Sequence, residues 1–163
     1  MDNLTLVTKK ILSLDKLFPF LNIWRFQQQK IVFTNGCFDL LHLGHIDYLA
    51  KTADMGNKLI IGLNSDASIA SIKGIDRPIT DENSRANLLA ALFFVDAVVL
   101  FDEKTPYNLI KSIKPDVLVK GADYSIDQIA GSDIVLSYGG EVKTVEYLSG
   151  YSTTRIVEKI QKS

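Results

Sequence analysis

Residues 30–45 read KIVFTNGCFDLLHLGH. The first six are β-branched and apolar up to Thr34, then stop at Asn35-Gly36, a pattern that predicts a short buried strand. From Gly44 the apolar residues fall at Ile46, Leu49, Ala50 and Ala53, a helical spacing closed by Gly56, so a helix is expected over 44–55. Both histidines of the chain, His42 and His45, stand at this junction with Gly44 between them. A buried strand leading through a glycine-containing loop into a helix is the unit from which parallel α/β sheets are built.

The same alternation continues along the chain. KLIIGLN (58–64), DAVVLF (96–101), PDVLVKG (115–121) and EVKTVEYL (141–148) read as further strands. Helices are expected after a Thr80 or Asp81 cap through Leu88, Leu89 and Leu92, over 106–113, and over 152–162. Strands alternating with helices of this length imply an α/β fold: a Rossmann-like, doubly wound sheet of about five parallel strands with helices on both faces. The chain divides into an N-terminal helical appendage, 1–29, and the alternating α/β domain, 30–163. In the first, Ser13 caps a helix to about Gln29 with Leu17, Phe20, Leu21 and Trp24 on one side, and Pro19 falls in its early turns.

Composition narrows the class. The chain has 163 residues, 47% hydrophobic and 23% charged, enough for one domain with a substantial core. A net charge of −1 gives no reason to expect nucleic acid or an acidic membrane as partner. One cysteine, Cys37, excludes an internal disulfide, and no apolar stretch is long enough to span a bilayer. A cytoplasmic protein is the default expectation.

Three chemistries compete for the histidine pair. Two histidines with Asp39 or Cys37 fall short of a usual zinc set, so no residue is assigned to a metal. A helix that happens to begin near histidine explains one ring better than two. A phosphate cradle accounts for both rings and for Gly44, because the free amides of a helix start attract anions and a missing side chain lets a phosphate approach. In an open parallel sheet the C-terminal end of such a strand is also where ligands bind.

GCFDLLHLGH resembles the signature of the HxGH nucleotidyltransferases, the cytidylyltransferase-like superfamily. Within it the chain from Lys30 to Ile160 is similar to the adenylyltransferase domain of bacterial ADP-heptose synthases. TNGCFDLLHLGH, GLNSDASI, KGIDRPIT, DVLVKGADY, IAGSDIV and GYSTTRI carry that similarity, in this order. With no room for the sugar-kinase domain found in some members, the resemblance implies the stand-alone form. It implies transfer of AMP from ATP to D-glycero-D-manno-heptose 1-phosphate, giving ADP-heptose and pyrophosphate, with Mg²⁺ accompanying ATP. His42, His45 and Lys73 are then the catalytic set, acting as donors to phosphate without a covalent adduct. Lys73 is expected on the loop after the second strand, with Arg77 beside it.

The resemblance further implies nucleotide contacts from Asn35, Gly36 and Gly44 in the first loop and from Lys120, Gly121 and Asp123 after the fourth strand. Ser152, Thr153 and Thr154 at the last helix start close over the nucleotide. Phe38 belongs to the same set, although core packing explains it as well, as it does Cys37. Arg85 either reaches phosphate or pairs with Asp81. Asp39, Asn64 and Asp66 are the acceptor candidates; Asp39 could instead brace the loop, and Asp66 could cap a helix. Tyr147 stands where glycerol-phosphate cytidylyltransferases carry an arginine, which favours ATP over CTP. Glycerol phosphate, ethanolamine phosphate or FMN chemistry is the alternative, and a non-catalytic nucleotide-binding module the second. A homodimer is expected by analogy with the family.

Overall fold

The computed structural model describes residues 2–162. Its centre is a five-stranded sheet, all parallel, built from β1 (Ile31–Gly36), β2 (Lys58–Asn64), β3 (Ala97–Phe101), β4 (Val117–Gly121) and β5 (Glu141–Val145) in the spatial order β3-β2-β1-β4-β5. The order reverses between β1 and β4. The strand ending in Asn35-Gly36 therefore opens onto the switch-point crevice where such sheets bind ligands.

Strand residues alternate between two cores. Ile31, Phe33, Ile60 and Val99 pack with α2 (Leu14–Phe26), α6 (Tyr107–Ile113) and α7 (Ser132–Ser137) on one face. Val32, Leu59, Ile61 and Val98 pack with α3 (Leu43–Ala53) and α5 (Glu82–Ala90) on the other. Helices on both faces give the doubly wound arrangement that the alternating pattern predicts. Within the leading segment, Leu17 and Leu21 of α2 are fully buried against the sheet, and the helix runs through Pro19 to end at Phe26. The short α1 (Asn3–Thr8), which the pattern did not announce, leads into residues 10–12. There Ile11 bridges Val98, and backbone bonds Leu12 N–H to Val98 O (2.9 Å) and Val98 N–H to Lys10 O (2.8 Å) cover the outer edge of β3.

Two boundaries differ from expectation. Lys73 is not on a loop: it is the last residue of α4 (Asp66–Lys73), which Ser65 caps by accepting from the Ser68 N–H at 3.2 Å. Eight residues with one buried aliphatic, Ile69, give too little periodicity to announce a helix. The fifth strand stops at Val145, and 146–152 is an irregular strap to α8 (Thr153–Gln161), which Ser152 caps. Of the two caps expected for α5, Asp81 serves, accepting from the Ser84 N–H at 2.9 Å.

Candidate active site

The loop between β1 and α3 is shaped by a left-handed Phe38 (φ +45°), a conformation costing roughly 1–2 kcal/mol for a side-chain-bearing residue. Its neighbours hold it there. The Asp39 carboxylate accepts from the backbone N–H groups of Ile79 (2.8 Å) and Thr80 (3.0 Å) and pairs with Arg77 at 2.9 Å. The Thr80 hydroxyl donates to the Asp39 carbonyl. Burial pushes the Asp39 carboxyl up, but the bonds from Thr80, Arg77 and Ile79 outweigh it and leave its pKa below the usual value. On the other side Arg85, fully buried, donates to the carbonyls of Cys37 (2.7 Å), Asn64 (2.9 Å) and Thr80 (3.0 Å) and pairs with Asp66 at 2.7 Å.

These bonds relocate several residues singled out in the sequence. Arg85 pairs with Asp66 instead of Asp81, and four of its five N–H donors are taken by the fold. Arg77 is tied to Asp39, and Asp39 to the 77–80 segment, so the three act on the loop's shape. Asp66 also accepts from the Glu82 N–H while its own N–H donates to Glu82. Asn64 is buried with its amide on Ser68 Oγ at 3.0 Å.

The loop so fixed delivers His42 as the N-cap of α3 and His45 one turn in. The two imidazoles stack, centroids 3.8 Å apart and planes 17° off parallel, and Phe38 meets His45 edge-on at 5.2 Å. A side chain at Gly44 would meet the His42 ring and Tyr151 Cβ, both at 3.1 Å, so the bare backbone there makes room for these two packed groups. His42 Nδ1, His45 Nδ1 and Asn35 Oδ1 are buried without a hydrogen-bond partner among the described residues. Three such atoms at one spot mark a site shaped for a polar ligand. Burial, the neighbouring His42 and then Lys73 draw the His45 pKa down to about 4, opposed by a bond with the Leu40 backbone; burial also lowers His42. Both rings are therefore neutral near pH 7.

A cavity of about 430 Å³ opens beside them, within the range of small-molecule sites. Asn35, Gly36, Phe38, Asp39, His45, Asn64, Lys73, Lys120, Gly121, Asp123 and Thr153 all reach its wall, whereas His42, Gly44, Arg77, Arg85, Asp66, Ser152 and Thr154 do not line it. Ser152 accepts from Arg155 N–H at 3.2 Å as the α8 cap. The Lys120 ammonium donates to Asn35 O at 3.3 Å and lies 5.3 Å from the Tyr124 ring centre; burial lowers its pKa against the pull of Asp123. A Cβ at Gly121 would collide with the Tyr147 hydroxyl and ring edge, so glycine is what lets Tyr147 lie across the end of β4. Burial first, then Asp123, pushes the Tyr147 phenol up to about 12.

Sequence reasoning missed Tyr48, Lys104, Thr105, Tyr124 and Gln128, which also line the cavity. Lys104 and Thr105 had a signal: they follow the C-terminal end of a strand, the end that faces ligands. No group of three or more His, Cys, Asp or Glu side chains is gathered for a metal among the described residues.

A stacked histidine pair flanking a helix start at a β1/β4 switch point is one observation; the match to known chains is the other. A cytidylyltransferase-like family model matches residues 33–159. The chain belongs to the cytidylyltransferase-like family. Among the relatives of this family member, the bifunctional protein HldE of Geobacter sulfurreducens is 51% identical over 154 residues, covering 94% of this chain and 31% of that protein. HldE of Wolinella succinogenes is 52% identical over 155 residues, covering 95% and 32%. The chain thus spans about a third of the length of the curated relatives it matches. Among solved structures, the lipopolysaccharide core biosynthesis protein from Thermoplasma volcanium superposes with a TM-score of 0.59 at 33% identity, covering 76% of this chain and 99% of that one. A pantoate-beta-alanine ligase from Francisella tularensis shares the fold at 17% identity and a TM-score of 0.56. Members of the cytidylyltransferase-like family are nucleotidyltransferases, and the switch-point cavity is the candidate site in this chain. No helix among the described residues is long and apolar enough to cross a membrane.

Proposed function

We propose that this chain transfers AMP from ATP to D-glycero-D-manno-heptose 1-phosphate, releasing pyrophosphate and forming ADP-heptose. The observation that carries the proposal is the neutral, stacked imidazole pair at the switch point, its two Nδ1 atoms buried without a partner among the described residues, with Lys73 and Lys120 on the wall of the adjoining cavity. Identity near 50% to HldE across almost the whole chain supports the choice of acceptor. Tyr147 across Gly121, where a cytidylyltransferase arginine would stand, supports ATP.

The attacking phosphate oxygen is already ionised, so the reaction needs no general base. An acceptor oxygen bonds to the α-phosphorus, the bridge to the β-phosphate breaks, and pyrophosphate leaves with the electron pair. The barrier is the meeting of two anions, and fixed donors lower it without reorganising. His42 and His45 donate to the phosphates, Lys73 and Lys120 add charge, and Thr153 with the α8 amides holds the departing end. Asp39, Arg77 and Arg85 position the loop. Asp123, on the cavity wall, would hold a Mg²⁺ ion brought in with ATP, and the ion would supply positive charge against the triphosphate and the leaving pyrophosphate. A cytoplasmic setting, where ATP is available, and a homodimer belong to the same proposal.

The test is pyrophosphate release with ATP, GTP, CTP and UTP against heptose 1-phosphate, glycerol phosphate, ethanolamine phosphate and FMN. ATP with heptose 1-phosphate is expected to give the highest kcat/KM. Turnover confined to CTP and an alcohol phosphate replaces the proposal with the alternative chemistry, and ATP binding without turnover of any acceptor makes the chain a binding module.

A further inference from the structure

Part of the cavity wall has no role in the phosphate contacts proposed above. The loop after β3, residues 102–106, contributes Lys104 and Thr105 to it, and the turn before α7 contributes Gln128. Both segments lead into elements on the α2/α6/α7 face, where Leu109 and Ile129 share one core. The imidazole pair and the α8 start approach from the α3 side, where Tyr151 packs on Gly44. Lys73 is on the same wall, close enough to His45 for its charge to be felt there.

The far wall is rigidly joined to Lys73. Ser68 Oγ, buried in α4, donates to Glu103 O at 2.9 Å and accepts from the Asn64 amide at 3.0 Å, and Ser65 N–H donates to Phe101 O at 3.0 Å. α4, with Lys73 at its end, and the loop with Lys104 therefore form one body. Neither lysine takes part in an ion pair among the described residues. Displacement at phosphorus is in line, with the attacking and leaving oxygens on opposite sides. If pyrophosphate leaves toward the histidines and α8, the acceptor enters from the side of Lys104 and Gln128.

We propose that Lys104, Thr105 and Gln128 form the acceptor subsite. The phosphate of a sugar phosphate lies between Lys73 and Lys104, and its hydroxylated ring is held between Thr105 and Gln128. This deepens the adenylyltransfer reading and rests on it. The test is steady-state kinetics with ATP and heptose 1-phosphate for Lys104→Ala, Lys104→Arg and Gln128→Ala, with ATP affinity measured calorimetrically without acceptor. Lys104→Ala and Gln128→Ala are expected to raise the acceptor KM tenfold or more while ATP affinity stays within twofold, which also shows the variants folded; Lys104→Arg restores most of the loss. A smaller change in acceptor KM, or ATP affinity falling in step with it, overturns the subsite. If the unmodified protein turns over only another phosphorylated acceptor, the heptose reading fails and the same comparison is made with that acceptor. If it turns over none, inorganic phosphate is titrated into protein loaded with a non-hydrolysable ATP analogue. Tenfold weaker binding by Lys104→Ala then upholds the subsite, and equal binding ends it.

Discussion

His45 concentrates the consequences of this site in one ring. Held neutral by burial and by the charges of His42 and Lys73, it can donate to a phosphate without a counter-ion to displace. His45→Ala is expected to lower kcat at least ~100-fold, about 3 kcal/mol of barrier, with an unchanged circular dichroism spectrum; turnover within tenfold of normal would remove it from the catalytic set. The same ring makes a statement about pH. Unfolded, it takes up a proton near 6.5; folded, only near about 4. Between those values the unfolded state binds more protons, so stability rises with pH across this window. Urea denaturation is expected to show roughly 2–3 kcal/mol less stability at pH 4 than at pH 7 from this group, an effect that His45→Gln removes.

Two buried polar groups, Arg85 and Asp39, join the elements around the site. Arg85 ties the end of β2, the loop after β1 and the cap of α5 to one guanidinium. Arg85→Met would leave the carbonyls of Cys37, Asn64 and Thr80 without a donor and is expected to cost about 3 kcal/mol or more, read as a lower urea midpoint. Lys at 85 recovers little, because one ammonium cannot fork to four acceptors. The leading helix is tested apart from the site. Leu21 of α2 is fully buried, and Leu21→Ala is expected to cost about 2–5 kcal/mol while leaving KM for ATP unchanged. A cost below ~1 kcal/mol would mean that α2 contributes little to the fold.

At the scale of the whole molecule, the sheet gathers at one edge what the chain distributes from residue 35 to residue 153. A ligand bridging the loops after β1, β2, β3 and β4 and the start of α8 stabilises the folded state by mass action. ATP at 100 times its Kd is expected to add about 2.7 kcal/mol, a rise in Tm of ~5–10 °C for a chain of this size. CTP at the same concentration is expected to add clearly less; equal shifts would count against Tyr147 as a sign of ATP preference. Because the site straddles so many segments, the shift should shrink in Arg85→Met and persist in Leu21→Ala.

Local periodicity settles what is local. The strand runs, the helix start at Gly44, the Ser152 cap and the alternation that demands a parallel sheet are all written in residues a few positions apart, and the placement of His42 and His45 at a strand's C-terminal end follows from them. Contacts between segments distant in sequence are another matter. Arg85 on the Cys37 and Asn64 carbonyls, Asp39 on the 77–80 backbone, Tyr147 across Gly121, and Lys104 on the same wall as Lys73 have no local signature, since each depends on which strand ends the sheet order brings together. Only the folded chain decides whether a charged side chain's partner is a ligand or the protein itself, because burial and the reach of neighbouring carbonyls exist only once the sheet has formed.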